Sequence, residues 1–483
     1  MQKYKKINES NFVLKTDSYK IPHYKFFPKG TENMYLYLEA RKDRDGFGGN
    51  LFFGLQYIIK RHLEGKVLNA EMIEEAEAVL GEHFINHKVF NKKGFKSLLD
   101  KHGGTIPIRI KAVPEGLFLP PRNALMTIES TDPEFYWLPG FLEPINLQVW
   151  KPSTVATYSR QCKKVIAKYW LKTSDAPLDS LDFKFKLHDF GFRGSDCWES
   201  SGLAGMSHLV NFMGTDTLSA LIFARNYYGA GVAGYSVPAT EHSTMTAWGE
   251  ENEEKAYENA LDAYPTGVIS VVSDSYDIFN AVENIWGGNL SGRVLNRDGR
   301  VVIRPDSGDP VVVIRKLLDI LWKKFGGLVN QKGYRVINPK TGLIQGDGID
   351  LQTIEKILQM MALDNFSAEN ITFGSGGALL QKHCRDDHGF SIKMSCVQIN
   401  GEEIDTAKTP ITDPAKSSKR GKFSLVERSR QYLTIRQNEL RPGEFDLLET
   451  VFENGELVKE YDFDEIRKLA EIKPAELANL TAN

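Results

Sequence analysis

The sequence predicts an α/β protein: a parallel sheet at the centre, with a second, mixed α+β domain. Three observations carry this. From about residue 183 onward, a short apolar strand, a polar or glycine-rich turn and a helix recur in that order. The residues before that point mix strands and helices without such a rhythm. At 483 residues the chain is also too long for one ordinary core.

The N-terminal elements come first. "NMYLYLEARK" (33–42) reads as a strand, and "LFFGLQYIIKRHLEG" (51–65) has helical spacing ending at a glycine. "AEMIEEAEAVLGEHF" (70–84) and "VATYSRQCKKVIAKYWLKT" (155–173) are further helices. "IPIRIKAVPEGLFLP" (106–120) alternates like strands broken by a turn at Pro114–Gly116.

Seven strand ends then run into polar turns. They are "FKLHDFGFRG" (185–194), "VNFMGTDT" (210–217), "GYSVPATEH" (234–242), "VISVVSDSYD" (268–277), "VVIRPDSGDP" (301–310), "GLIQGDGID" (342–350) and "NITFGSGGA" (370–378). Helical stretches such as "LSALIFARNYY", "VVVIRKLLDILWKKF" and "LQTIEKILQMM" follow them. Alternation of this kind implies parallel pairing. Parallel barrels keep their chemistry at the C-terminal strand ends, where these polar residues fall. Pattern alone leaves a barrel and a doubly wound open sheet as alternatives.

In the tail, "KSSKRGKFSLVER" (416–428) is a basic loop entering a strand, and "ETVFENGELVKEYDF" (449–463) is a hairpin turning at Asn454-Gly455. The short helix "DEIRKLAEI" closes it. The expected division is an N-terminal α+β segment (1–180), an α/β barrel catalytic domain (181–400) and a C-terminal segment (401–483) whose strands rejoin the first.

A formal net charge of −3 gives no reason to expect nucleic acid or an anionic membrane as partner. Cys162, Cys197, Cys384 and Cys396 show no C-x-x-C spacing, which argues for reduced thiols in a cytoplasmic protein. The start "MQKYKKINESNF" lacks the apolar run of a signal peptide, and no apolar stretch is long enough to span a bilayer.

Chemistry gathers at the strand ends. "GSGG" (374–377) opens a helix, where backbone N–H groups and the helix dipole can cradle a phosphate; a tight turn that binds nothing is the alternative. Lys382, Arg385 and Lys393 nearby favour phosphate. Asp274, Asp306 and Asp347 each end a strand, a pattern suited to Mg²⁺ with a polyphosphate, or to capping of the next helix. "HDFGFRG" offers aromatics that can stack on a flat ring or fill a core. His242, at the third strand end, can act as acid, base or nucleophile toward phosphorus, with Glu241 beside it to orient the ring.

"TDSYKIPHYKFFP" (16–28), "HDFGFRG", "GTDT", "EHSTMTAWG", "VVSDSYDIFN", "IRPDSGDP", "IQGDGID" and "FGSGGALLQK", in that order, strongly resemble the nicotinamide phosphoribosyltransferase family. "DPAKSSKRGKFSL" and "VFENGELVKEYDFDEIRK" extend the resemblance through the tail. It implies a type II phosphoribosyltransferase fold: an irregular parallel α/β barrel plus a mixed α+β domain built from both terminal segments. It implies transfer of phosphoribose from 5-phosphoribosyl-1-pyrophosphate (PRPP) to nicotinamide, with Mg²⁺ as cofactor, ATP as co-substrate, and a homodimer with active sites at its interface.

Residue by residue, the resemblance places Phe190 on one face of nicotinamide and Tyr19 of the other subunit on the opposite face. Asp216 and Arg304 hold the carboxamide, with Arg193 near the ring. His242 is the histidine that becomes phosphorylated, and Asp274 and Asp306 lie near Mg²⁺ and the ribose–pyrophosphate. Gly376 and Gly377 cradle the 5′-phosphate, Asp347 lies in the same PRPP site, and Arg41, Arg385, Lys393 and Lys416 bind phosphates from the other subunit. Phe192, Ala378 and "GSDCWESSG" (194–202) depart from the animal pattern, which bears on nucleotide coupling rather than on core roles. The rivals are a nicotinate phosphoribosyltransferase, a phosphosugar isomerase or aldolase, and a ligand-binding relative without turnover. No lysine at these strand ends suits a Schiff base, and the retained His, Asp and Gly set speaks against loss of catalysis.

Overall fold

The structure is a computed structural model that describes residues 6–85 and 87–481. The chain forms two compact units, Met1–Thr154 with Tyr227–Gly229 and Cys384–Ala470, and Val155–Asn226 with Ala230–His383 and Glu471–Asn483.

The first unit is built on a seven-stranded antiparallel sheet. Its order is Glu402–Asp405, Phe390–Ile399, Thr31–Ala40, Ala124–Ser130, Ile108–Ala112, Glu449–Glu453 and Glu456–Leu457, so strands from before and after the barrel segment share one sheet. Thr31–Ala40 is buried from Met34 onward because both its faces are covered. Tyr35 and Tyr37 pack on Phe423 of the hairpin Phe423–Arg428/Gln431–Arg436, while Met34 meets the short helix Leu138–Phe141 at Gly140. The turn at Asn454 (φ 52°) and Gly455 (φ 91°) has both central residues left-handed, as the Asn-Gly pair requires.

The expected helix at 51–65 begins later. Asn50–Leu51 pairs with Phe118–Leu119, Gly54 turns at φ 99°, and the helix is Leu55–His62. The reason is Glu115, whose buried carboxylate accepts from Gly54 N (2.7 Å), Gln56 N (2.6 Å) and Tyr228 Oη (2.8 Å). It satisfies first-turn donors of the helix from outside it, and burial pushes its carboxyl up to about 7. Elements that went unread in the sequence include the strands Ala124–Ser130 and Phe390–Ile399 and the helices Lys92–His102, Trp198–His208 and Glu253–Ala263.

The second unit is the barrel. Its strands run parallel in the order Gly214–Thr215, Leu187–Asp189, Ile371–Ser375, Thr341–Gln345, Asp298–Arg304 and Thr266–Val272. The third predicted strand joins the two edges through single parallel bridges, Gly214 to Tyr235 and Ala239 to Ser270. Pro238 cannot donate to a ladder, though its carbonyl accepts from Ser270 N at 2.9 Å. The ring is therefore closed but irregular at this segment. Helices such as Pro310–Phe325 cover it, burying Val313, Ile314, Leu317, Leu318 and Leu321 along one stripe. The helix Trp150–Thr173 joins the barrel from Val155 on, since Ala156, Tyr158 and Ser159 hydrogen-bond Asn211, Leu351 N and His208 there.

Candidate active site

Parallel pairing brings all seven polar turns to one end of the barrel. Three of them carry aspartates spaced by three, and these divide two tasks. Asp277, Asp309 and Asp350 cap the following helices by accepting backbone N–H groups. Asp274, Asp306 and Asp347 do not cap, so the capping alternative holds for the second aspartate of each pair only.

His242 opens the helix His242–Thr246. Its Nε2 lies 3.0 Å from Asp274 Oδ1, and its Nδ1 lies 4.0 Å from Asp306 Oδ2. Asp274 is almost fully buried, and its Oδ2 also accepts from Asp306 N (2.9 Å) and Ser307 Oγ (2.6 Å). Glu241, expected to orient the imidazole, accepts instead from Ser243 Oγ of its own helix. The preceding Ser273 is anchored from behind, where Trp286 Nε1 donates to Ser273 Oγ (3.1 Å) and stacks on Tyr257.

Asp306 has a carboxyl raised by burial and by the charges of Asp274 and Asp347, against the pull of Arg304 and His242. Asp306 and Asp347 thus make a concentration of negative charge that a divalent cation would relieve. Asp274 has both oxygens engaged already. Among the described residues no group of three or more His, Cys, Asp or Glu side chains makes a ready metal cage, and the arrangement fits a cation held largely by substrate phosphates.

Phe190 lies across the strand ends. A Cβ on Gly374 would fall 2.1 Å from its ring, so glycine there leaves the ring its place, and one on Gly346 would come to 3.2 Å, a tight contact. Asp189 beneath it is fully buried, accepts from Gly191 N (2.7 Å) and Thr215 Oγ1 (3.1 Å), and has its carboxyl raised by burial. His188 sits with its ring 5.3 Å from Phe190 and its Nε2 2.9 Å from Asp216 Oδ1. The same Oδ1 accepts from Ser236 Oγ at 2.5 Å. Burial opposes the charge on Asp216, but His188, Ser236 and Arg304 outweigh it and hold the carboxyl below its usual value. Arg304 keeps a buried Nε without a partner. Arg193 is exposed on the turn Phe192–Gly194. Gly376 and Gly377 open the helix Gly377–Leu380, and a Cβ on Gly377 would meet nothing within 4 Å.

The remaining candidates belong to the first unit. Arg41, Arg385 and Lys393 form one basic cluster with Lys408. Burial and these three neighbours hold the Lys393 ammonium below its usual value, against the attraction of Glu143. Lys416 pairs with Asp413 at 3.0 Å, and among the described residues no ion pair ties it to that cluster. Tyr19 is 59% exposed on the turn Ser18–Lys20. Asp189, Ser236, Ser307 and Lys408 escaped sequence reasoning, and His188 was singled out there without a role. His188 stood inside a quoted motif, but its partner is 28 residues away.

Residues 185–456, the stretch that supplies most of the barrel and its strand-end turns, match the nicotinate phosphoribosyltransferase (NAPRTase) family. The chain belongs to that family. Residues 11–110 match a second description, the nicotinamide phosphoribosyltransferase N-terminal domain. The nicotinamide phosphoribosyltransferase of Xanthomonas campestris pv. campestris is 45% identical over 95% of this chain and 98% of its own. That of Acinetobacter baylyi is 33% identical over 96% and 97%. Two solved structures share the fold at low identity. They are nicotinate-nucleotide pyrophosphorylase from Pyrococcus furiosus (TM-score 0.59, 17% identity, all of both chains) and human nicotinic acid phosphoribosyltransferase (TM-score 0.55, 16% identity, 97% and 96%). Members of the NAPRTase family transfer a pentosyl group, and this chain is a phosphoribosyltransferase by that membership. Among the described residues no helix is long and apolar enough to cross a membrane.

Proposed function

We propose that the protein transfers phosphoribose from PRPP to the pyridine nitrogen of nicotinamide, giving nicotinamide mononucleotide and pyrophosphate in NAD salvage. The observation that carries this reading is the ionised Asp216 hydrogen-bonded to His188, whose ring lies against Phe190. A carboxylate accepts from the amide NH₂ of nicotinamide but repels the carboxylate of nicotinate. Two unit charges ~4 Å apart at an effective dielectric of ~20 repel by about 4 kcal/mol, on the order of a thousandfold in binding. In Asp216→Asn the amide N–H keeps a neutral acceptor, so the change from a charge-assisted to a neutral hydrogen bond costs only about 1 kcal/mol.

The ring stacks on Phe190, with Tyr19 of a second subunit on its other face, and Arg304 takes the amide oxygen. Displacement at the ribose C1 builds positive charge on the sugar while diphosphate leaves, so orientation and charge neutralisation do the work. Gly376 and Gly377 receive the 5′-phosphate at the helix start, with Asp347 in the same site. Arg41, Arg385, Lys393 and Lys416 of the partner subunit bind the other phosphates. Mg²⁺, held by Asp306 and substrate phosphates with Asp274 acting through water, would neutralise the leaving diphosphate.

ATP hydrolysis is coupled through His242. An Nε2–H donated to Asp274 leaves the Nδ1 lone pair to attack the γ-phosphorus of ATP; the N–P bond forms as the P–O bond to ADP breaks. Asp274 then balances the positive charge gained by the ring. The protein works as a cytoplasmic homodimer with neither nucleic acid nor membrane as partner.

The test measures kcat/KM for nicotinamide and nicotinate with PRPP and Mg²⁺, in the wild type and in Asp216→Asn. The wild type should prefer nicotinamide, and the variant should lose little amide use while gaining much more acid use. A wild type that prefers nicotinate would overturn the assignment.

A further inference from the structure

The imidazole beside the Phe190 ring is one to which neither the family motifs nor the reaction assigns a task. His188 is 12% exposed, and its imidazole is held on three sides. Its ring meets Phe190 at 54°, its Nε2 reaches Asp216 Oδ1, and its Nδ1 lies where a Cβ on Gly214 would come within 2.7 Å. The ring fills the space a side chain at Gly214 would take, on the strand end to which His188 is registered. Asp216 itself is 46% exposed and would otherwise turn freely about its side-chain bonds. Its Oδ1 is filled by two donors, His188 Nε2 and Ser236 Oγ.

We propose that His188 is a positioning residue that fixes the carboxylate of Asp216 by Oδ1, leaves only Oδ2 to take a donor from the substrate, and so sets the preference for amide over acid. This rests on the nicotinamide reading above and deepens it. Without the imidazole, Arg304 becomes the remaining cationic partner of Asp216. A carboxylate turned onto a guanidinium neither receives an amide N–H in the right place nor repels an acid. Ser236 alone cannot prevent that turn, since a single hydroxyl leaves the carboxylate plane undefined.

The test compares His188→Phe, His188→Gln and Ser236→Ala with the wild type, by kcat/KM for nicotinamide and nicotinate and by melting temperature. His188→Phe keeps a flat ring against Phe190 but cannot donate. Its amide-to-acid ratio should fall about 10- to 100-fold, the worth of one hydrogen bond to a charged group, chiefly through KM for nicotinamide. His188→Gln, whose amide can still donate, should keep most of the ratio, and Ser236→Ala should shift it in the same direction by less. A folded His188→Phe protein with an unchanged ratio would overturn the positioning role, as would a His188→Gln protein as impaired as His188→Phe. A wild type that prefers nicotinate would strike at the amide reading itself, a result visible before any variant is made.

Discussion

Asp274 holds His242 from a buried position: Oδ1 takes the imidazole Nε2 at 3.0 Å, and Oδ2 is fixed by Asp306 N and Ser307 Oγ. The histidine itself is 45% exposed. A buried, doubly anchored carboxylate behind a half-exposed imidazole selects one tautomer and favours the charged ring that a phosphoryl transfer would create.

Incubation with ATP and Mg²⁺ should therefore label His242, giving an acid-labile, base-stable adduct. Asp274→Asn should cut the labelling rate by about 10- to 100-fold, the worth of a charge-assisted hydrogen bond, and His242→Ala should abolish it. Radiolabel mapped to a serine, or surviving in His242→Ala, would refute the role.

Two glycines of one motif should behave differently. In Gly374→Ala the new methyl collides with the Phe190 ring, so affinity for nicotinamide should drop and the melting temperature fall, with overpacking costing about 1–3 kcal/mol. In Gly377→Ala the methyl enters open space, so the melting temperature should hold while KM for PRPP rises. Steady-state kinetics in each substrate, beside a thermal melt, separate the two. Equal KM for PRPP in Gly377→Ala and wild type would remove this turn from phosphate binding.

His388 gives the first unit an acid-sensitive point. It is fully buried, and burial, aided by the charge of Arg44, lowers its pKa to about 4 against the opposing pull of Asp387 and the Lys42 backbone. The unfolded chain binds this proton near pH 6.5 and the folded chain only near 4. The stability it contributes is present above about pH 6.5 and is lost as pH falls toward 4. The interval of about 2.5 units corresponds to roughly 3 kcal/mol. Melts between pH 4 and 7.5 should show His388→Phe losing less stability on acidification than the wild type. Parallel curves would show that this imidazole is not the acid-sensitive group.

If Tyr19 and the Arg41–Arg385–Lys393 cluster serve a partner's barrel, inactive Tyr19→Ala and inactive Asp306→Ala chains should restore activity on mixing. One hybrid site in the mixed dimer would be intact. Failure to recover after demonstrated subunit exchange would place each site within a single chain. Lys393→Met should raise KM for PRPP by about tenfold or more, for loss of a charged contact to phosphate.

Much of this was legible in the sequence because it is local. Strand-to-helix alternation and the turn residues Asn454-Gly455 are written in short stretches, and they predicted the barrel elements and the hairpin between Glu449–Glu453 and Glu456–Leu457. Asp274, Asp306 and Asp347 were visible as strand-end acids for the same reason. The helix start at Leu55 was not visible, because it is imposed by Glu115 from 59 to 61 residues away. The strand Ala124–Ser130 lacks alternation because both its faces are buried, so its period of two is erased.

The sequence by itself determined which residue types stand at which strand ends, and hence the chemistry available there. Tertiary structure alone decided the partners: Asp274 rather than the adjacent Glu241 on His242, His188 on Asp216, and closure of the ring through Tyr235–Thr240 by single bridges. Hydrogen bonds between side chains depend on where strands 28 or 32 residues apart meet, and that register is set by packing of the whole barrel, which no local stretch encodes.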